Sequence, residues 1–337
     1  MRHFVIVAIL ILAVSVLTYF GLIAADLMPV EASAQSITVD WLWNIELIPI
    51  SFLFSVIVVP MFYSLIVFRR KKGETGDGEH FEGNSKLEVV WTVIPLFLVV
   101  TFAYLGAYNL GETRRLNPNA MRINVTAQQF AFSFEYPDHG FVSDELYLPV
   151  DKQIVLSMTS RDVIHSFWVP EFRIKQDIVP GRFTEYRITP TLLTGDKPFK
   201  VRCAELCGAS HSYMLANVHV VAQDEFDAWV AARQEEAAAA AQTPEGRGKI
   251  LVTQNGCLGC HTVDGSAGTG PTWFNLYGSN VELADGSTVV ADDAYIKESI
   301  LQPQAKFVAG FESVFMPTFE FTDEQIADII AYIKTLK

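Results

Sequence analysis

The chain is poor in cysteine, with four thiols in 337 residues. So few cannot staple a disulfide scaffold, and they come as two tight local pairs, which points to ligands or attachment points. Basic residues are also scarce: 25 Lys and Arg stand against 38 Asp and Glu, for a formal net charge of −13. A nucleic-acid footprint is thereby excluded. Beyond residue 111 no further long uncharged apolar run occurs, so the rest of the chain reads as domains in water. Ser/His/Asp and paired-carboxylate arrangements are lacking too, so the chemistry must rest on something other than hydrolytic side chains.

What is present is apolar. Half of the residues are hydrophobic, and three uncharged runs occupy residues 3–25, 47–68 and 89–111. Each is long enough to cross roughly 30 Å of hydrocarbon as a helix. The first run follows Met1-Arg2 and precedes "ASA" at residues 32–34, so residues 1–35 read either as a signal peptide or as a first transmembrane helix. Residues 40–111 read as a transmembrane hairpin. Its connecting loop opens with "RRKK" at residues 69–72. Short basic loops stay in the cytoplasm, which places residues from 112 onward outside.

Residues 112–222 alternate apolar and polar in short runs such as "RINVTAQQFAFSFEYP" and "YMLANVHVVA", with turn residues between them. This pattern predicts an all-β sandwich or barrel. Residues 223–243 read as a helix running into an Ala-rich tether. Residues 244–337 read as a small α domain ending in "FTDEQIADIIAYIKTLK". Thr322 and Gln325 form a capping-box pair there, and Ile326, Ile329, Ile330 and Ile333 share one face. Basic and acidic residues balance at 12 and 12 over residues 112–222, but residues 244–337 carry 6 against 12. The acidic excess suits a basic protein partner.

"CLGCH" at residues 257–261 has the C-x-x-C-H spacing of c-type haem attachment. Two thiols at this spacing reach the haem vinyl groups, and the adjacent imidazole reaches the iron. Met316, in a loop before the last helix, is the candidate sixth ligand; a thioether opposite a histidine raises the potential of an electron-transfer haem. The segment resembles a class I cytochrome c domain, which makes Cys257 and Cys260 the thioether anchors and His261 and Met316 the axial ligands.

"CAELCGASHSYM" at residues 203–214 holds the other two thiols. A disulfide between Cys203 and Cys207 would close a very small loop and leave His211 and Met214 unexplained. Zinc has little use for a thioether. Copper fits best, because Cys207, His211 and Met214 follow the blue-copper loop pattern, to which Cys203 adds a second thiolate that allows a binuclear site. His165 in "SRDVIHSFWVP" is the best second histidine, ahead of His139 and His219.

Together with "LEVVWTVIP", "QQFAFSFEYP" and "DIVPGR", this loop resembles subunit II of haem–copper cytochrome c oxidases, with its CuA centre. The appended haem segment makes the chain similar to the cytochrome-c-fused, caa-type form. The resemblance implies a multi-domain membrane protein: transmembrane helices, an all-β cupredoxin-like sandwich and an all-α class I cytochrome c domain. It implies that Cys203 and Cys207 bridge two coppers, that His165 and His211 ligate one each, and that Met214 and the Glu205 carbonyl complete the set. It further implies a magnesium ion on the Glu205 carboxylate at the border with subunit I, and a proton-channel mouth at Glu88. Two positions depart from the family pattern. Phe130 stands where the family usually has a Trp that receives electrons, and Arg161 stands at a usually acidic docking position. The expected role is an electron relay in a prokaryotic plasma membrane. It runs from an external donor, cytochrome c or another small redox protein, through haem c and CuA to subunit I. There oxygen becomes water and protons are pumped. Membrane lipid and the other oxidase subunits are the further partners. The nitrous oxide reductase type also carries CuA, but the membrane helices argue against it. A membrane-anchored zinc or disulfide module would leave both motifs as coincidences.

Overall fold

The computed structural model describes residues 1–76, 78, 80 and 82–337. The chain divides into two units, residues 1–31 with 35–115, and residues 32–34 with 116–337.

The first unit is built from α1 (Arg2–Ala24), α2 (Ala34–Val67) and α3 (Ser85–Thr113). All three are long and apolar enough to span a bilayer. Pro49, Pro60 and Pro95 lie inside α2 and α3 without ending them, as membrane helices allow. Their large side chains face outward, with Ile66 75% and Phe97 71% exposed. Surfaces of this kind require lipid or protein cover. The buried stripe of α2 runs through Leu47, Ser51, Ser55 and Val59 at four-residue spacing and is mostly small, and Ser55 Oγ donates to the Ser51 carbonyl at 2.7 Å. His3 Nδ1 lies 2.7 Å from the Tyr63 hydroxyl, which pairs the start of α1 with the end of α2. At the start of α3, Asn84 Oδ1 accepts from the Leu87 amide and Glu88 Oε1 accepts from the Asn84 amide. Glu88 thus closes the α3 N-terminus, where a carboxylate also suits the helix dipole.

The second unit begins with a sandwich of two mixed sheets. Its strands are β1 (Met121–Gln128), β2 (Ala131–Tyr136), β3 (Phe141–Ser143), β4 (Leu146–Pro149), β5 (Ile154–Ser160), β6 (His165–Val169), β7 (Ile174–Ile178), β8 (Thr184–Ile188), β9 (Phe199–Cys203) and β10 (Leu215–Val221). One sheet runs β3-β2-β1-β5-β8 and the other β4-β10-β9-β6-β7. Period-two alternation drives this arrangement. Ile123, Val125, Leu156, Met158, Phe167, Val201 and Val218 all point inward and are at most 1% exposed. The "ASA" segment is held at the sandwich edge, where the Ala32 amide donates to the Glu171 carbonyl and Ser33 bridges Pro190.

A continuous helix, α4 (Gln223–Ala240), follows, so the alanine run forms its last turns. Its first half is fixed to the sandwich by aromatic packing. Trp229 stacks on Tyr147 with centroids 4.3 Å apart, and Phe226 meets Tyr136. Gln234 adds a bond to the His139 carbonyl. The second half meets α5 (Pro244–Gln254), where Lys249 pairs with Glu236 at 2.7 Å.

The haem-motif half adds α6 (Asp293–Leu301), α7 (Asp323–Thr335) and a hairpin of β11 (Asn280–Glu282) and β12 (Thr288–Val290). The Thr322–Gln325 capping box forms as the sequence implies. Ile326, Ile329, Ile330 and Ile333 are all buried. α5 crosses α7 at Gly248, where a Cβ would collide with the Asp328 carbonyl. Beside that crossing, Arg247 clamps the Asp328 carboxylate with bonds of 2.7 and 2.8 Å. Gly248→Val should therefore destabilise this half by about 3 kcal/mol, the upper end for overpacking. The check is thermal unfolding of the purified protein followed at the haem absorption band.

Candidate metal and haem centres

β6 and β9 bring the first centre together. Phe167 pairs with Cys203 across the two strands. His165, two residues earlier, therefore faces the loop that leaves β9. The loop is tied down at both ends, by the Ala204 amide to the Ser166 carbonyl at 3.1 Å and by the Cys203 amide to the Met214 carbonyl at 3.2 Å. It returns through a 3-10 turn at His211–Tyr213 into β10. Midway, Gly208 has a φ of +140°, and a Cβ there would lie 2.8 Å from Gln129 Nε2 and 3.0 Å from the Phe130 ring. Only glycine lets the loop press so closely onto the β1–β2 connection.

The expected ligand atoms converge. The two thiol sulfurs lie 3.7 Å apart. His165 Nδ1 is 3.7 Å from Cys203 Sγ, and His211 Nδ1 is 3.5 Å from Cys207 Sγ. Met214 Sδ is 3.8 Å from Cys207 Sγ, and the Glu205 carbonyl is 3.2 Å from Cys203 Sγ. His165 is fully buried, and its Nε2 is held by Asp162 Oδ1 at 2.8 Å. That bond leaves Nδ1 facing the thiols, the orientation a metal-binding histidine needs. His139 and His219 lie outside the cluster. His139 packs on Phe141, and His219 stacks on Tyr147 beside Glu145.

The second centre is a crevice lined by Cys257, Cys260, His261 and Met316 together with Trp273, Phe315 and Ile333. His261 Nδ1 donates to the Pro271 carbonyl at 2.7 Å, which frees Nε2 as a ligand. Trp273 stacks on the imidazole with centroids 4.8 Å apart. Gly270 also approaches the ring, where a Cβ would lie 3.2 Å from His261 Cε1.

Three family profiles match the chain. They are "Cytochrome C oxidase subunit II, transmembrane domain" over residues 20–106, "Cytochrome C oxidase subunit II, periplasmic domain" over 139–221, and "Cytochrome c" over 246–337. The chain is 32% identical to cytochrome c oxidase subunit 2 of Alkalihalophilus pseudofirmus, over 85% of this chain and 83% of that one. The chain belongs to the cytochrome c oxidase subunit II family. A second relative, cytochrome c oxidase subunit 2 of Thermostichus vulcanus, is 35% identical over 64% of this chain and 80% of its own. Among solved structures, the periplasmic domain of subunit II from Bradyrhizobium japonicum is 32% identical, over 36% of this chain and 99% of that one, with a TM-score of 0.33.

As a subunit II with a cytochrome c domain, the chain implies copper and haem c, and the donor sets fit both. Two thiols, with two imidazole nitrogens, a thioether and a carbonyl each within 3.8 Å of one of the sulfurs, make a soft, copper-type set. A zinc site would use His165, Cys203 and Cys207 and leave Met214 idle. The haem crevice offers two thiols on one wall, a tautomer-fixed histidine and an apolar lining.

Protons occupy several of these ligands. Burial pushes the Cys203 thiol up, but bonds from His165 and from backbone amides outweigh it and bring it to about 6. Burial and the neighbouring Cys203 thiolate push Cys207 up to about 12. Burial lowers His165, but its bond to Asp162 outweighs burial and raises it to about 9. The directions favour an imidazolium, and one thiolate beside one thiol, in the site without its metal. Copper uptake should then release protons, and its apparent affinity should rise with pH. The His165 share levels off above about pH 9. Copper titrations of the copper-depleted protein in weak buffers at pH 6, 7 and 8, with proton release recorded, check this.

Asp162, Gln129 and Asn255 went unread as functional positions. Asp162 Oδ2 accepts from the Gln129 amide at 2.7 Å, besides holding His165. The Gln129 side chain in turn donates to the Cys207 carbonyl. In the sequence Asp162 is marked only by its place three residues before His165, in "SRDVIH".

Proposed function

We propose that this chain carries electrons into the oxidase: from an external donor to the haem domain, onward to the copper domain, and out to subunit I. Bound haem c and a copper pair supply the one-electron chemistry. One observation carries the reading. Gln128 and Gln129 of the copper domain help line the haem crevice, and Gln129 also bonds the carbonyl of Cys207, a copper ligand. The two centres therefore share one wall.

The residues have distinct tasks. Asp162 fixes the ring of His165 so that Nδ1 stays aimed at the thiols. Gly208 allows the ligand loop to lie flat on the Gln129–Phe130 segment. Trp273 and the Pro271 carbonyl fix His261, so neither imidazole must turn when charge moves. Rigid ligation of this kind keeps rearrangement small. Leu206, Tyr213 and Leu215 surround the copper loop and are 79%, 75% and 49% exposed; such an apolar rim suits burial against subunit I. The acidic excess of residues 244–337 suits a basic donor such as cytochrome c. The exposed Glu205 carboxylate is the proposed magnesium ligand at that border, and Glu88 is the proposed proton uptake point, beside its capping role. "RRKK" supports placing both domains outside a prokaryotic plasma membrane.

The purified oxidase should show a multi-line mixed-valence copper signal by electron paramagnetic resonance and a low-spin haem c band. Cys203→Ser should abolish the copper signal and leave the haem band intact. In rapid mixing with a reduced donor, the haem band should change before the copper band. Copper reduction that precedes haem reduction would sink the proposed order.

A further inference from the structure

The seam between the copper and haem domains is closed by a small ring of side chains. Arg161, one residue before Asp162, directs Nη1 to Gln128 Oε1 at 3.1 Å and to Asn255 Oδ1 at 2.8 Å. Gln128 Nε2 donates to the Asn255 carbonyl. Three residues from three segments thus satisfy one another across the seam. The guanidinium is the one charged member of the ring, and charge-assisted bonds are the stronger kind.

The backbone beside this ring is shaped for close approach. Gly256 has a φ of +68°, and a Cβ there would run into the Gln128 side chain. At Gly259 a Cβ would lie 2.8 Å from the Ala131 Cβ and 3.1 Å from the Phe130 carbonyl. Next comes Cys260, which packs against the copper-domain core. The haem-attachment loop therefore lies on residues 128–131 with nothing larger than hydrogen between the chains at two points. These same four residues lead from the haem crevice to the copper loop.

We propose that Arg161, Gln128 and Asn255 form a latch that holds the haem-attachment loop on the copper domain. The consequence is a permanent dock. Residues 128–131, which lead to the copper loop, are covered by the chain's own haem domain, so a donor protein docks on the haem domain and not on the copper domain. Arg161 acts here as a positioning residue. The inference rests on the electron route proposed above for its purpose, but not for its geometry.

The test uses the intact, metal-loaded oxidase. In Arg161→Glu, amide hydrogen exchange over residues 128–131 and 255–260 should quicken by about tenfold or more. Haem-to-copper transfer after flash reduction should slow by a similar factor, with both cofactor spectra unchanged. Adding Asn255→Lys restores an opposite-charge pair and should restore slow exchange. As a second probe, Gly259→Val should open the same segments without touching a charge. Exchange at wild-type speed in Arg161→Glu overturns the latch, and so does a charge swap that leaves exchange as fast as the single change. If instead exchange responds as expected but the wild-type haem never reduces the copper, the electron route falls and the latch stands.

Discussion

Two thiols buried 3.7 Å apart set the terms for the rest of the chain. Both cannot ionise there without a cation between them, because burial and like charge each penalise a second thiolate. The fold holds them there through long-range constraints. Cys203 is the last residue of a central strand, paired to β6, and Cys207 sits in a loop pinned by Gly208 against β1–β2. Met214 and the His211 turn close the loop onto β10. These supports come from the sandwich core and hold the two sulfurs close enough for one ion to meet both.

The haem crevice depends on the same sandwich. Its walls are mostly its own domain's Trp273, Tyr295, Ile296 and Ile333, but Gln128 and Gln129 complete one side. α4 explains how a separate domain is held so precisely. Its aromatic residues are fixed to β4 and β3, and its alanine turns leave no bulky side chain to obstruct α5. A flexible linker would raise the local concentration of the haem domain only to the millimolar range. A helix anchored at both ends restricts orientation as well as distance.

Much of this was legible from sequence for local reasons. "CLGCH" and "CAELCGASHSYM" place ligands a few residues apart, so the spacing itself carries the chemistry. The Thr322 cap and the isoleucine face of α7 obey short-range rules in the same way. His165 ranks above His139 and His219 in the sequence because it follows an apolar run and precedes a Pro turn, and the β6–β9 register is what brings it to the thiols. Asp162, Gln129 and Asn255 were not legible as functional. The contacts of Gln129 and Asn255 join residues 33 to 127 positions apart, and nothing about a Gln or an Asn in a loop announces a partner at that distance, whereas Asp162 lies only three residues from His165. The alanine run looked like a tether because it lacks a packing pattern. High helix propensity makes it helical all the same.

Charge is divided between the domains in a way that separates two kinds of docking. The copper domain carries balanced charge, and the haem domain carries a net of −6. Attraction between them over distances beyond the Debye length, about 8 Å at physiological salt, is therefore weak. Their contact relies instead on the covalent helix, on backbone approach at Gly256 and Gly259, and on one guanidinium with neutral acceptors. Such contacts are short-ranged and little affected by salt. The acidic excess of the haem domain suits the steering of the proposed donor, where long-range, salt-dependent attraction matters most. Arg161 fits this division: a carboxylate at that position would serve a visiting basic protein, whereas a guanidinium serves the resident amide.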